Sequence, residues 1–134
     1  MIVLDASALI DLVLDQPAAG WVWEQISEGG EARAPAHQPA EVLSAVSRWV
    51  RTGQLTPDQA RSALDEALSL PRRLIVPKLE QVRRAFALRE GIRVMDGLHV
   101  TLADELGRSL VTTNLRLAGS GAPCEIRVPP RASG

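Results

Sequence analysis

The sequence has one cysteine, Cys124, so no internal disulfide and no cysteine-rich metal site can be built. It has one lysine, Lys78, and a net charge of −1, so no broad basic field advertises nucleic acid. It also lacks an apolar run long enough to span a membrane. The most apolar stretch, MIVLDASALIDLVLD, is interrupted by Asp5, Asp11 and Asp15. That stretch has no basic start of the kind a secretory signal needs, so a cytoplasmic protein without a membrane anchor is expected. No internal repeat, low-complexity run or linker divides the chain.

What is present fits one globular domain. The 134 residues suffice for a single core, expected over residues 1–128, with 129–134 (ending in RASG) as a flexible C-terminal tail. All but one of the 15 basic residues are arginine. Arginine forks suit phosphate, although genome composition produces the same bias.

Strand and helix signals alternate. MIVL reads as a buried strand, with Asp5 at its end and Ser7 as cap of the helix ALIDLVLD. A helix from Ala18 to Ser27 follows Pro17, then a weak strand, EARAPA. Pro39 is well placed to open a helix that Gly53 stops. On that helix Val42, Val46, Trp49 and Val50 form an apolar stripe, while Glu41, Ser44, Ala45 and Arg48 share another face. TPDQ predicts a capping box at Thr56 and Gln59. Further on come a strand at RLIVP, a helix LEQVRRAFALRE up to Gly91 and a helix Met95 to Leu106 ended by Gly107. The strands SLVT and EIRV complete the pattern. It predicts an α/β fold, a mainly parallel sheet with helices on both faces.

In such sheets ligands bind beyond the carboxyl ends of the strands. Asp5 and Asn114 stand just past two such ends, Glu41 is in the first turns of a helix, and Asp96 opens another. Each alone is explained by a helix cap, a dipole effect or a turn. Together they form a self-repelling cluster whose natural neutraliser is a hard divalent cation, Mg²⁺ or Mn²⁺. Carboxylate-held cations serve phosphodiester cleavage.

The segments MIVLDASALIDLVL, APAHQPAEVLSAVSRWVRTGQLT and MDGLHVTLADELGRSLVTTNLRLA resemble the signature blocks of PIN-domain ribonucleases, especially VapC toxins of bacterial toxin–antitoxin pairs. The resemblance runs from Ile2 to about Val128. It implies a Rossmann-like fold, a homodimer, RNA cleavage with Mg²⁺ or Mn²⁺, and inhibition by a cognate VapB-like antitoxin. It also implies that Asp5, Glu41 and Asp96 occupy the acidic positions, as metal ligands and catalytic groups. Ser7 and Thr112 match the family's hydroxyl positions and, with Arg48 and Arg116, are expected at the RNA substrate. The fourth acidic position, usually Asp, is Asn114 here. It keeps a catalytic place but brings no charge, so a second metal should be held weakly.

Other residues fit less directly. His99 follows Asp96 by three residues and can face the site; His37, in a loop before Pro39, is not expected to be a ligand. Trp21, Trp23 and Trp49 fit core or interface better than base stacking. Apolar residues of the first two helices, Ile10, Leu14, Trp21 and Trp23, are expected to receive an antitoxin helix. The alternatives are a non-catalytic PIN module that binds RNA or a protein, for which Asn114 is the only support, and a receiver-like phosphoacceptor. The latter needs a lysine beyond a late strand, whereas Lys78 leads directly into a helix.

Overall fold

Three apolar residues, Ile-Val-Leu, make the strand around which everything else is arranged. In the computed structural model, which describes residues 1–131, this is β1 (Ile2–Leu4). It is joined by β2 (Ala32–Pro35), β3 (Arg73–Ile75), β4 (Leu110–Val111) and β5 (Ile126–Arg127). The sheet order is β3-β2-β1-β4-β5, and every neighbouring pair is parallel. Six α-helices cover it: α1 (Ala6–Val13), α2 (Ala19–Gly29), α3 (Gln38–Arg51), α4 (Pro57–Ser69), α5 (Leu79–Ala87) and α6 (Val94–Leu106). The end of the expected tail, residues 132–134, lies outside the described residues.

Strand alternation sends side chains to opposite faces, and the core divides accordingly. Ile2, Leu4, Ala32 and Val111 pack with Leu9, Val22, Val42 and Val46 on the face covered by α1 to α4. Val3 and Leu110 pack with Val100, Leu102, Leu117 and Ile92 on the other. The register agrees: Ile2 pairs with Ala32, Val3 with Leu110 and Leu4 with Val111, so each pair shares a face.

Local signals set most boundaries. Thr56 and Gln59 form the expected capping box at α4, with bonds of 3.1 and 2.9 Å. Gly107 ends α6 in the left-handed region, at φ 64°, where a side chain would be strained. Two boundaries shift. Helix α3 begins at Gln38, one residue before Pro39. Helix α5 stops at Ala87, because the chain turns to bury Ile92 under the sheet. Asp96 opens α6 from its first turn, with Arg93 at the cap position. The α5–α6 packing is close at Gly97, where an added Cβ would come within 3.1 Å of Ala85 Cβ.

The connection from β3 to β4 crosses to the far side of β1. Strand order therefore reverses beside β1, and the crevice beyond the ends of β1 and β4 is where such a sheet holds a ligand.

Candidate functional site

That crevice contains a cavity of about 520 Å³. Asp5 enters it from the end of β1, Glu41 from the first turn of α3 and Asp96 from the first turn of α6, with Asn114 on its rim. The polar face of α3 predicted from helical spacing, Glu41, Ser44, Ala45 and Arg48, lines one wall. Arg48 is exposed at the mouth.

Asp5 is 2% exposed, and two hydroxyls fix it. Thr112 Oγ1 and Ser7 Oγ both donate to Asp5 Oδ2, at 2.7 and 2.8 Å. Each hydroxyl oxygen in turn accepts a backbone N–H, Thr112 from Asn114 at 3.0 Å and Ser7 from Thr113 at 3.2 Å. Ser7 does not cap α1. Its hydroxyl and that of fully buried Thr112 tie Asp5 to the loop after β4, and Ser7 also lines the cavity. The other carboxylate oxygen, Asp5 Oδ1, is buried without a hydrogen-bond partner, as is Glu41 Oε1. A buried acceptor without a donor is costly unless something cationic faces it.

Asp96 shows how crowded the acids are. Its carboxyl is pushed from the ordinary 3.8 up to about 6, first by burial, then by the charges of Asp5 and Glu41. His99 and Arg93 act in the opposite direction.

Asn114 Oδ1 accepts the backbone N–H of Arg116 at 3.2 Å and caps a 3-10 turn over Leu115–Gly119. An aspartate would cap equally well. The amide therefore spares the cluster a further negative charge without losing the turn. Arg116 is exposed and lines an adjoining cavity that shares Ser7, Arg93, Asp96 and Asn114 with the first. The two cavities form a continuous path past the acids. Arg93, bordering both, was not singled out from the sequence; its place at the start of α6, three residues before Asp96, was the available signal.

The histidines are nearer the acids than expected. His37 occupies the cap position of α3, with Nε2 3.0 Å from Glu41 Oε1. The i,i+4 spacing within HQPAE would have revealed this. His99 is wholly buried, with Nδ1 3.8 Å from Asp5 Oδ1 and Nε2 3.7 Å from Glu41 Oε1. Away from this site, Trp21 packs against the core while Trp23 is 55% exposed, beside Leu12, Val13 and Leu70 in a separate shallow groove.

Comparison with known proteins gives one consistent family. The model of the PIN domain family matches residues 2–119. Ribonuclease VapC12 of Mycobacterium tuberculosis is 38% identical over 120 residues, covering 90% of this chain and 92% of that protein. Ribonuclease VapC1 of the same organism is 32% identical over 127 residues, covering 94% and 96%. Among solved structures, the crystal structure of VapBC2 from Rickettsia felis bound to a DNA fragment from their promoter matches with TM-score 0.68 and 18% identity. It covers 96% of this chain and 98% of that chain. At that identity the match shows the fold alone.

Proposed function

The chain belongs to the PIN domain family, and from that premise we propose that it is a metal-dependent endoribonuclease toxin held in check by a cognate VapB-like antitoxin. The observation that carries the reading is the meeting of Asp5, Glu41 and Asp96 in one cavity at the sheet's switch point, with two carboxylate oxygens buried and unpartnered. An oxygen-rich, negatively charged site of this kind suits Mg²⁺ or Mn²⁺. Asp5 and Asp96 would hold the cation, with Glu41 beside them. When bound, it supplies Lewis-acid activation of water and stabilises charge on the departing oxygen.

The protein's own groups do the rest. Ser7 and Thr112 hold Asp5 in one orientation. Glu41, only part-buried, faces the cavity and takes a proton from the attacking water. Arg48 and Arg116, at the two mouths of the path, grip phosphates of the RNA on either side of the scissile bond. Asn114 holds the loop and offers its amide to water or substrate. The non-catalytic alternative has only the amide of Asn114 behind it, against three carboxylates that line one cavity.

Two partner surfaces accompany this reading. The groove at Trp23 is the antitoxin's, and the exposed stripe Leu79, Val82 and Phe86 of α5 pairs the protomers. Among the described residues no helix is long and apolar enough to cross a membrane. The test is RNA cleavage by the purified protein with and without Mg²⁺, beside Asp5→Asn. The substitution keeps an acceptor for Ser7 and Thr112 but puts an amide NH₂ where Oδ1 was, so the fold should persist and cleavage should vanish. Full cleavage by a folded Asp5→Asn protein would remove the site.

A further inference from the structure

Two imidazoles approach one carboxylate oxygen. Glu41 Oε1 has His37 Nε2 at 3.0 Å and His99 Nε2 at 3.7 Å. One ligand atom from each of the three residues lies within 4.8 Å of the other two. The rings meet edge to face, their centroids 5.3 Å apart.

The hydrogen-bond network assigns the tautomer of His99. Arg72 Nε donates to Gln38 Oε1 at 2.6 Å, which turns the Gln38 NH₂ the other way. That NH₂ donates to the Leu4 carbonyl at 2.5 Å and lies 3.4 Å from His99 Nε2. On the opposite side of the ring, Nδ1 faces the Met95 carbonyl at 3.2 Å, which can only accept. The neutral ring therefore carries its proton on Nδ1 and its lone pair on Nε2. That lone pair faces the Gln38 NH₂, and Nε2 also lies 3.7 Å from Glu41 Oε1. Both nitrogens of His37 and Oε1 of Glu41 are buried with no hydrogen-bond partner. A backbone carbonyl holding Nδ1–H is how proteins orient a metal-ligating histidine, and a cation at Nε2 would take the lone pair from its long 3.4 Å contact with the Gln38 NH₂.

We propose that His37, His99 and Glu41 form a second cation position, for a borderline transition-metal ion such as Zn²⁺, beside the oxygen-ligated Mg²⁺ position of Asp5 and Asp96. This rests on the ribonuclease reading of the site, because Glu41 belongs to both positions. Imidazole nitrogen suits Zn²⁺ and is a poor ligand for Mg²⁺. Zinc bonds of about 2.0–2.2 Å require ligand atoms about 3.3 Å apart in a tetrahedral site. The two contacts to Glu41 straddle that value. His37 closes the remaining distance by rotation, since neither ring nitrogen is tied down. Two neutral nitrogens also supply ligands without adding charge to a cluster that already has an amide in place of its fourth acid.

The test is metal binding to the metal-free, full-length protein, by competition with a chromophoric chelator for Zn²⁺ and by calorimetry for Mg²⁺. The expected result is one equivalent of Zn²⁺ bound in the presence of saturating Mg²⁺. His37→Ala should weaken Zn²⁺ about tenfold or more while leaving Mg²⁺ affinity within about twofold. His37 makes no capping bond, so this variant should fold. His37→Gln is the check: it keeps bulk and polarity but should not restore Zn²⁺ binding. Co²⁺ in place of Zn²⁺ should give visible bands that change in His37→Ala. Unchanged Zn²⁺ affinity in His37→Ala, or equal loss of Zn²⁺ and Mg²⁺, would overturn the proposal. Asp5→Asn separates the two claims. If it still binds Mg²⁺ normally, the acidic position fails, and the histidine position is still decided by His37→Ala.

Discussion

Replacing Asp96 by Asn should make the metal-free protein more stable at neutral pH and less responsive to metal. The carboxyl is pushed from 3.8 up to about 6 by burial and by Asp5 and Glu41. A folded state that raises an acid's pKa binds its proton more tightly than the unfolded chain does. That contribution to stability is complete below about pH 3.8 and is lost as pH rises through about 6. At neutral pH the wild-type protein therefore carries the full penalty of an ionised Asp96. Taken whole, the gap corresponds to roughly 3 kcal/mol. Asp96 is partly open to solvent, and screening reduces the realised penalty to about 1–2 kcal/mol. For a chain of this length that is a rise in Tm of about 3–6 °C. The assay is thermal unfolding of both proteins followed by circular dichroism in EDTA across the acid-to-neutral range. The gain should be largest above about pH 7 and fade toward about pH 4. In excess Mg²⁺ the order should reverse, since only wild type gains binding energy, about 2.7 kcal/mol at a hundredfold excess over Kd. A variant no more stable in EDTA at neutral pH would refute the reasoning. A gain unchanged down to about pH 4 would also refute it, because the effect would then be packing and not charge.

Asn114→Asp keeps the cap on Arg116 N–H and restores a charge beside the acids. It should lower the Mg²⁺ concentration for half-maximal cleavage by up to about tenfold in a metal titration, and an unchanged requirement would mean that the side chain turns away from the metal. Thr112→Val removes one of the two hydroxyls on Asp5 Oδ2 and the acceptor for Asn114 N–H. It should cost about 1–3 kcal/mol in denaturant unfolding and lower kcat more than it raises KM for RNA; a loss of stability without a loss of kcat would separate the lock from catalysis. Trp23→Ala should weaken antitoxin binding by about 2 kcal/mol or more in calorimetry while leaving cleavage by the free protein intact.

Fold class was readable because two periods were clear. Alternating short apolar runs and amphipathic helices require a parallel sheet, and the polar face of α3, from Glu41 to Arg48, could be drawn from helical spacing alone. The strand ends then put Asp5 and Asn114 at the crevice. What the sequence hid were choices between equally good local partners. Ser7 is a sound cap by composition, yet its hydroxyl goes to Asp5, because Thr112 arrives from more than a hundred residues away to complete a lock. Gln38, which no motif singles out, is fully buried, held between the Leu4 carbonyl, Arg72 and His99. By sequence His37 is a loop residue ahead of a helix that opens at Pro39, whereas the helix starts at Gln38 and puts His37 at its cap, in i,i+4 relation to Glu41. Such pairings depend on which strands become neighbours, and no local pattern carries that information.

The position of β1 also bears on how the protein is made. Strand β1 precedes the other four in the chain and becomes the middle of the sheet, with β2 on one side and β4 on the other. The β2 edge and the face packed on α1 to α4 can form early, as N-terminal parts of a chain do. The other edge of β1 stays open until residues 110–112 have emerged, and only then can Thr112 clasp Asp5. A chain halted anywhere before that point has its first acid but neither the clasp nor a closed crevice. Truncated products of the gene should therefore be harmless to the cell that makes them. The clasp on Asp5 thus follows the Trp23 groove, which α1, α2 and α4 build from earlier parts of the chain.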